Sequence, residues 1–254
     1  MHQDPPAFAW AFEIVGPCIW LIMAVHFWRK SRRLGAITVP ALLFIGATTQ
    51  SWQEWYADWG GYVLYNPHLH LMTWWHGAYT SPNKPWAVIP AYGWFFGAIY
   101  FPLISLLHKV HAFLGRRAWM KLPTFSVFLL FAGFGAHYLW DLLIEGSAVL
   151  LGMWNYTTVI GPSLSNHRGH FPLVYPIIPF ALLMSVTMLI IDAKRPDGTP
   201  MVEHWARVDR FTGTKHHVAR IVTWILTMNL TYLLLFTIPI CLFRGTFLPF
   251  DPRL

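Results

Sequence analysis

The sequence predicts an all-α, polytopic membrane helix bundle of about six transmembrane helices, with long aromatic loops at one end. Three observations carry this. Apolar segments near the ~20-residue length that spans a bilayer recur along the chain. Hydrophobic residues make up 56% of it and charged residues 11%, against about 25% charged in soluble domains. Its mean hydropathy is +0.43. No polar stretch among the 254 residues is long enough for a separate soluble unit, so residues 1–254 read as one integral membrane domain.

The first segment, 8–28, follows Pro5-Pro6 and stops at the basic run Arg29-Lys-Ser-Arg-Arg33. Met1 leads into Asp4 and not into a basic n-region, which is unlike a cleaved signal peptide. The second, 36–53, runs into Trp52-Gln-Glu-Trp-Tyr-Ala-Asp-Trp59, where Gly60-Gly61 allows a sharp exit. Pro82, Pro85 and Pro90 stiffen the approach to the third, 88–108. The fourth, 123–146, ends in Trp140-Asp-Leu-Leu-Ile-Glu145, and the last two cover 172–191 and 218–243. The net charge of +7 sits mainly in three connectors, 29–33, 109–121 and 192–217 with Arg220, which hold four, four and six of the 18 Lys and Arg residues. Such clustering marks cytoplasmic loops and gives no reason to expect a nucleic-acid partner. A multi-pass plasma-membrane protein is expected, with both termini and loops 54–87 and 147–171 outside. Cys18 and Cys241 lie inside apolar runs, so neither a disulfide framework nor a zinc site is indicated.

Two acidic pairs stand out in a chain with only 11 Asp and Glu residues. Glu54 with Asp58, and Asp141 with Glu145, have i,i+4 spacing, so each pair shares one helix face. Both segments run toward the aromatic end, which puts the pairs at similar depth. Ionisable groups beside hydrocarbon are costly and usually face a bundle interior. Glu13 joins them from the first segment, and His137 lies one turn before Asp141. His167, Arg168 and His170 approach from the following loop. Crowded carboxyls beside a cation such as Arg168 separate a proton donor from an acceptor, the outline of acid/base chemistry.

Plainer readings exist for each residue. Asp58 is the acid nearest water and can be solvated at headgroup level, or an acid can be structural, paired with Arg168 or Lys84. Trp and Tyr form interfacial belts on many membrane proteins. His68, His70 and His76 offer metal-ligand chemistry, but His-x-His without a second ligand motif is a weak signal, and no metal is expected. No nucleotide-binding, phosphoryl-transfer, serine-hydrolase or dithiol motif is present.

The order Ser51-Trp-Gln-Glu54, Tyr65-Asn-Pro67, Trp74-Trp75, Ser81-Pro-Asn83, Asp141 with Glu145, Trp154-Asn-Tyr156, Gly169-His-Phe-Pro172 and the loop from Asp192 to Asp209 resembles the AveC-like spirocyclase family of actinobacterial membrane proteins. It covers about two thirds of the chain, with Glu54 where the family's pattern has Asp. The resemblance implies spiroketal formation in polyether or macrolide biosynthesis, with a companion dehydration in some members; the substrate expected here is a lipophilic polyketide-like or isoprenoid molecule in the membrane, and no cofactor is expected. One of Glu54, Asp141 or Glu145 would protonate a ketone or hemiketal oxygen. A partner carboxylate and the faces of Trp52, Trp55, Trp74, Trp75 and Trp154 would hold the resulting cation. A second carboxylate, Asp58 included, or His170 would take the hydroxyl proton. Tyr65, Asn66, His76, His137, Tyr156, His167 and Arg168 complete the expected substrate contacts. A proton-coupled transporter and a non-catalytic lipid-binding subunit are the alternatives. Midplane carboxylates and broken helices would mark the transporter.

Overall fold

The computed structural model describes residues 7–72, 74, 79–81, 84–116 and 122–247. Helix α1, Ala7–Leu34, leads into α2, Val39–Thr49, which is capped by Thr38, whose Oγ1 accepts from the Ala41 N–H at 3.4 Å. The helix expected over 36–53 is not continuous. Thr48, Thr49 and Ser51 turn their hydroxyls back onto the carbonyls of Phe44, Gly46 and Thr48 at 2.7–2.9 Å, side-chain bonds that compete with the helical ladder. The chain tightens into a 3-10 turn over Gln50–Gln53, and α3, Glu54–Gly61, starts at the first acidic residue.

Helices α4, Val88–Ala98, and α5, Tyr100–Gly115, are nearly continuous. The break at Ile99 falls where Pro102 has no N–H to offer the Ala98 carbonyl. Helix α6 covers Phe125–Leu150 and α7 Ile177–Asp192. The expected start of α7 at 172 is displaced, because His170–Pro172 form a strand and Pro176 precedes the first helical residue. After the short α8, Met201–Trp205, come α9, Gly213–Tyr232, and α10, Ile238–Phe247. A π-helical turn over Leu233–Thr237 joins the last two. Pro239 deprives the Leu235 carbonyl of its donor there.

The stretches Trp10–Leu34, Val88–Gly115, Phe125–Leu150 and Gly213–Phe247 are long and apolar enough to cross a membrane, while α7 is a shorter apolar helix. The fold is an all-α membrane bundle, with 71% of the described residues helical and only small sheets among them. Helix α2 packs between α4 and α9, α6 against α7, and α3 against α10. The centre is aromatic and aliphatic, with Tyr92, Phe96, Phe180, Tyr232 and Phe236 in one cluster.

Gly60 serves close approach. A Cβ there would meet Ile240 Cγ2 at 2.6 Å and the Cys241 backbone N at 3.0 Å. The sharp exit expected at Gly60-Gly61 belongs to Tyr62, which takes the left-handed conformation at φ 58°. Gly60→Ala is expected to force α3 from α10 and destabilise the protein by about 1–3 kcal/mol, read as a lower melting temperature in detergent.

Two short antiparallel strand pairings close the end opposite the basic connectors. Strand β1, Val63–Tyr65, pairs antiparallel with β2, Trp154–Tyr156, placing Tyr65 across from Trp154 and Val63 across from Tyr156. Side chains alternate along a strand, so these four residues share a face while Leu64 and Asn155 take the other. Strand β3, Ser163–Ser165, pairs with β4, His170–Pro172. Between them Asn166 accepts from the N–H groups of Arg168 and Gly169 at 2.8 and 3.1 Å, forming a tight turn.

Candidate active site

At the loop-rich end α1, α3, α4, α6, α7, the α9–α10 junction and the β1–β2 ribbon line a half-open cavity of about 130 Å³. The shared face of the ribbon supplies Val63, Tyr65, Trp154 and Tyr156 to its wall. Three of the four expected acids, Glu54, Asp58 and Glu145, line it too. Helical spacing brings Glu54 and Asp58 in together, since one turn of α3 separates them.

Glu54 is held from two sides. Tyr65 donates its hydroxyl hydrogen to Oε1 at 2.7 Å, and Tyr92 of α4 donates to Oε2. The Tyr92 hydroxyl also meets that of Tyr232, at 2.6 Å, at the end of α9. Glu145 accepts from Tyr156, and Trp154 hydrogen-bonds to it as well. Burial, reinforced by Glu54, pushes the Tyr65 phenol well above its ordinary range; burial and then Glu145 do the same for Tyr156. Both phenols therefore keep their protons and remain donors. The walls between are rings: Tyr92 lies 4.8 Å from Phe96, and Tyr232 lies 5.1 Å from Phe236.

Asp58 carries a different partner. Lys84, itself fully buried, forms an ion pair with it and lies 4.8 Å from the centre of the Tyr65 ring. Burial draws the Lys84 ammonium down to about 7, with the Glu54 charge acting the other way. Lys84 is one of the two structural partners, with Arg168, that the plainer reading offered the acids, whereas Asp58 is buried and not solvated.

The remaining expected residues are distributed as follows. Asp141 is buried one turn behind Glu145 on α6, off the cavity wall, and His137 is buried a further turn back, its Nδ1 2.9 Å from the Gly133 carbonyl. Neither Asp141 oxygen nor His137 Nε2 has a hydrogen-bond donor or acceptor in standard geometry among the described residues, while Glu145 stands close enough to act on Asp141 electrostatically. Trp52 lies outside the cavity, its indole donating to Asn229 Oδ1 at 2.8 Å. Trp55 is buried against the exposed Trp74, 5.9 Å away. Asn66 braces the loops by donating to the Gly152 carbonyl at 2.9 Å. Trp75 and His76 lie outside the described residues.

His167, Arg168 and His170 are exposed and do not reach the cavity wall. The turn built by Asn166 puts the first two at its tip. In β4 the alternation that buries Phe171 against Gly146 points His170 outward, where its Nδ1 lies 2.9 Å from Ser165 Oγ. Glu13 sits apart, bonded to His70. Among the described residues no group of three or more His, Cys, Asp or Glu could hold a metal ion.

Sequence reasoning missed Tyr92, Tyr232, Phe96, Phe180 and Phe236. Each sits in an apolar run where an aromatic residue reads as core. The available signal was that Tyr92 and Tyr232 place a hydroxyl near the same end of the bundle as the acids.

The arrangement can deliver and accept protons within an aromatic, mostly apolar lining. No curated protein and no solved structure matches the chain. Residues 31–249 match the family described as "Spirocyclase AveC-like", which spans most of the chain, and the protein belongs to that family.

Proposed function

We propose that the protein is a membrane-embedded acid/base cyclase that closes a spiroketal on a lipophilic, polyketide-like or isoprenoid dihydroxyketone. The observation that supports this best is the pair Glu54 and Glu145, on separate helices, lining one aromatic cavity with phenol donors on each. Of the two acids on this face of α6, Glu145 lines the cavity and Asp141 does not. That makes Glu145 the donor.

The first substrate hydroxyl adds to the ketone to give a hemiketal. Glu145 protonates the hemiketal hydroxyl, the carbon–oxygen bond breaks, and water leaves. Glu54, ionised under its two phenols, and the faces of Trp154, Tyr92 and Tyr65 stabilise the oxocarbenium ion. The second hydroxyl adds, and its proton passes to Glu54 through the Tyr92 phenol. The departing water returns that proton to Glu145. The sum is a dihydroxyketone giving a spiroketal and one water. A companion dehydration would use the same first half, protonation of a hydroxyl and loss of water. The apolar enclosure keeps bulk water from capturing the cation. The cluster of basic residues in the opposite connectors favours a plasma-membrane orientation with the cavity and both termini outside.

The test is purified protein in lipid nanodiscs, supplied with a long-chain dihydroxyketone and followed by mass spectrometry. A product lighter by one water, absent with Glu145→Gln, is expected. Uptake of unchanged substrate by proteoliposomes, with no such product, would sink the reading in favour of transport. Tyr92→Phe removes one phenol from Glu54 and is expected to slow turnover about tenfold, seen in initial rates.

A further inference from the structure

The cavity is much smaller than the long-chain molecules proposed to react in it, so most of such a substrate stays outside while its keto end reacts. One flank of the cavity is made by Phe12 of α1, Trp94 and Phe95 of α4, Ile144 of α6 and Trp154. Ile144 is 39% exposed, and Leu139 and Leu143 continue an uncovered apolar face along α6. The Phe12 and Trp154 rings meet across this flank at 6.4 Å.

Helix α1 is the loosest wall. Only 11% of its apolar 18-residue window is buried, and its packing is on α4 and α2. Its lower part is anchored: the Trp20 indole donates to Thr48 Oγ1 at 3.0 Å, and Trp20 and Phe27 each pack 5.5 Å from Phe44. Its upper part is held differently. Pro17 has no N–H for the Glu13 carbonyl, so the ladder is interrupted where Gly16 adds further freedom. Above that point Glu13, buried, accepts from the His70 backbone N–H at 2.6 Å and contacts His70 Nδ1 at 2.8 Å, with Trp10 edge-on to the His70 ring. Phe12 is the residue next to Glu13. A helix segment that carries a cavity wall, a polar tie to a loop and a weakened ladder beneath it has the parts of a door.

We propose that the cavity is loaded sideways from the bilayer. The upper turns of α1 swing at Gly16-Pro17 when Glu13 releases His70, and they admit the keto end of a membrane-dissolved, long-chain hydroxyketone between Phe12 and Ile144. Its apolar tail stays in the lipid along α6. This rests on the cyclase reading for the identity of the keto end, and the route itself is tested without catalysis.

The probe is a long-chain hydroxyketone with a diazirine beside the ketone, added to the full-length protein in lipid nanodiscs, irradiated, and mapped by peptide mass spectrometry. Adducts on Phe12, Ile144 and Trp154 that excess unlabelled hydroxyketone suppresses are expected. Glu13→Leu, which removes the latch, is expected to raise the labelling rate about tenfold. Ile144→Trp, on the lipid side and clear of the latch, is expected to lower it by a similar factor. Adducts confined to the 157–170 loop, or labelling that neither variant changes, would overturn the sideways route. Glu54→Gln/Glu145→Gln separates the two ideas: labelling at wild-type level supports the route whatever becomes of catalysis, and its loss counts against the route.

Discussion

Glu145→Gln and Glu54→Gln are each expected to lower spiroketal formation by about 10²–10⁴-fold with little change in melting temperature. The two substitutions keep size and shape. In Glu145→Gln the amide oxygen still accepts from Tyr156, but the side chain has no proton to give the hemiketal hydroxyl, so the carbon–oxygen bond does not break. In Glu54→Gln the amide oxygen still accepts from one of Tyr65 and Tyr92, but the negative charge that faces the oxocarbenium ion is gone. Asp141→Asn stands behind the reacting groups and is expected to cost less, about tenfold, because it alters the company of Glu145 without touching substrate. Initial rates and melting curves on the same preparations check all three. Wild-type rates in both Gln variants would remove these acids from the chemistry.

Lys84→Met is expected to lower stability by about 1–3 kcal/mol, because it takes from Asp58 its buried polar partner in the wall. Adding Asp58→Asn to that variant restores most of the loss, since a buried ion pair replaced on both sides by neutral groups is often tolerated. Thermal melts of the two single variants and the double variant measure this. The pH dependence has a definite sign. Burial takes Lys84 from its ordinary 10.5 to about 7, so between those values the folded protein holds fewer protons than the unfolded chain. Stability contributed through Lys84 therefore rises with pH across that window. The window closes near pH 10, where the Tyr65 and Tyr156 phenols, raised in the folded state, begin to favour the unfolded chain. The rise between pH 7 and about 9.5 is expected in the wild type and absent from the double variant.

Helix positions were legible because hydrophobic length is a property of single segments. Each of the six expected apolar segments carries a helix, with boundaries displaced where Pro102, Pro176 and Pro239 or back-bonding Thr48 and Thr49 interrupt the ladder. Glu54, Asp58 and Glu145 were legible because a carboxylate beside apolar residues is costly wherever it sits. The ribbon of 63–65 with 154–156 was not, since three-residue strands carry little periodicity and their register depends on a partner about 90 residues away. That register is what brings Tyr65, Trp154 and Tyr156 to the acids. His167, Arg168 and His170 carried strong chemical signals and lie at the surface, because local turn geometry and strand alternation set their direction. Residue type marks potential chemistry, and backbone geometry decides whether it reaches the cavity.

The most direct measurement follows the ketone oxygen. A dihydroxyketone carrying heavy oxygen in its carbonyl is given to the protein in nanodiscs, and product and remaining substrate are weighed together. Closure through the oxocarbenium ion expels that oxygen, so the product is lighter by one labelled water while unreacted substrate keeps its label. A product that has lost water and still carries the heavy oxygen would mean that a different hydroxyl departed, and would contradict spiroketal closure in this cavity.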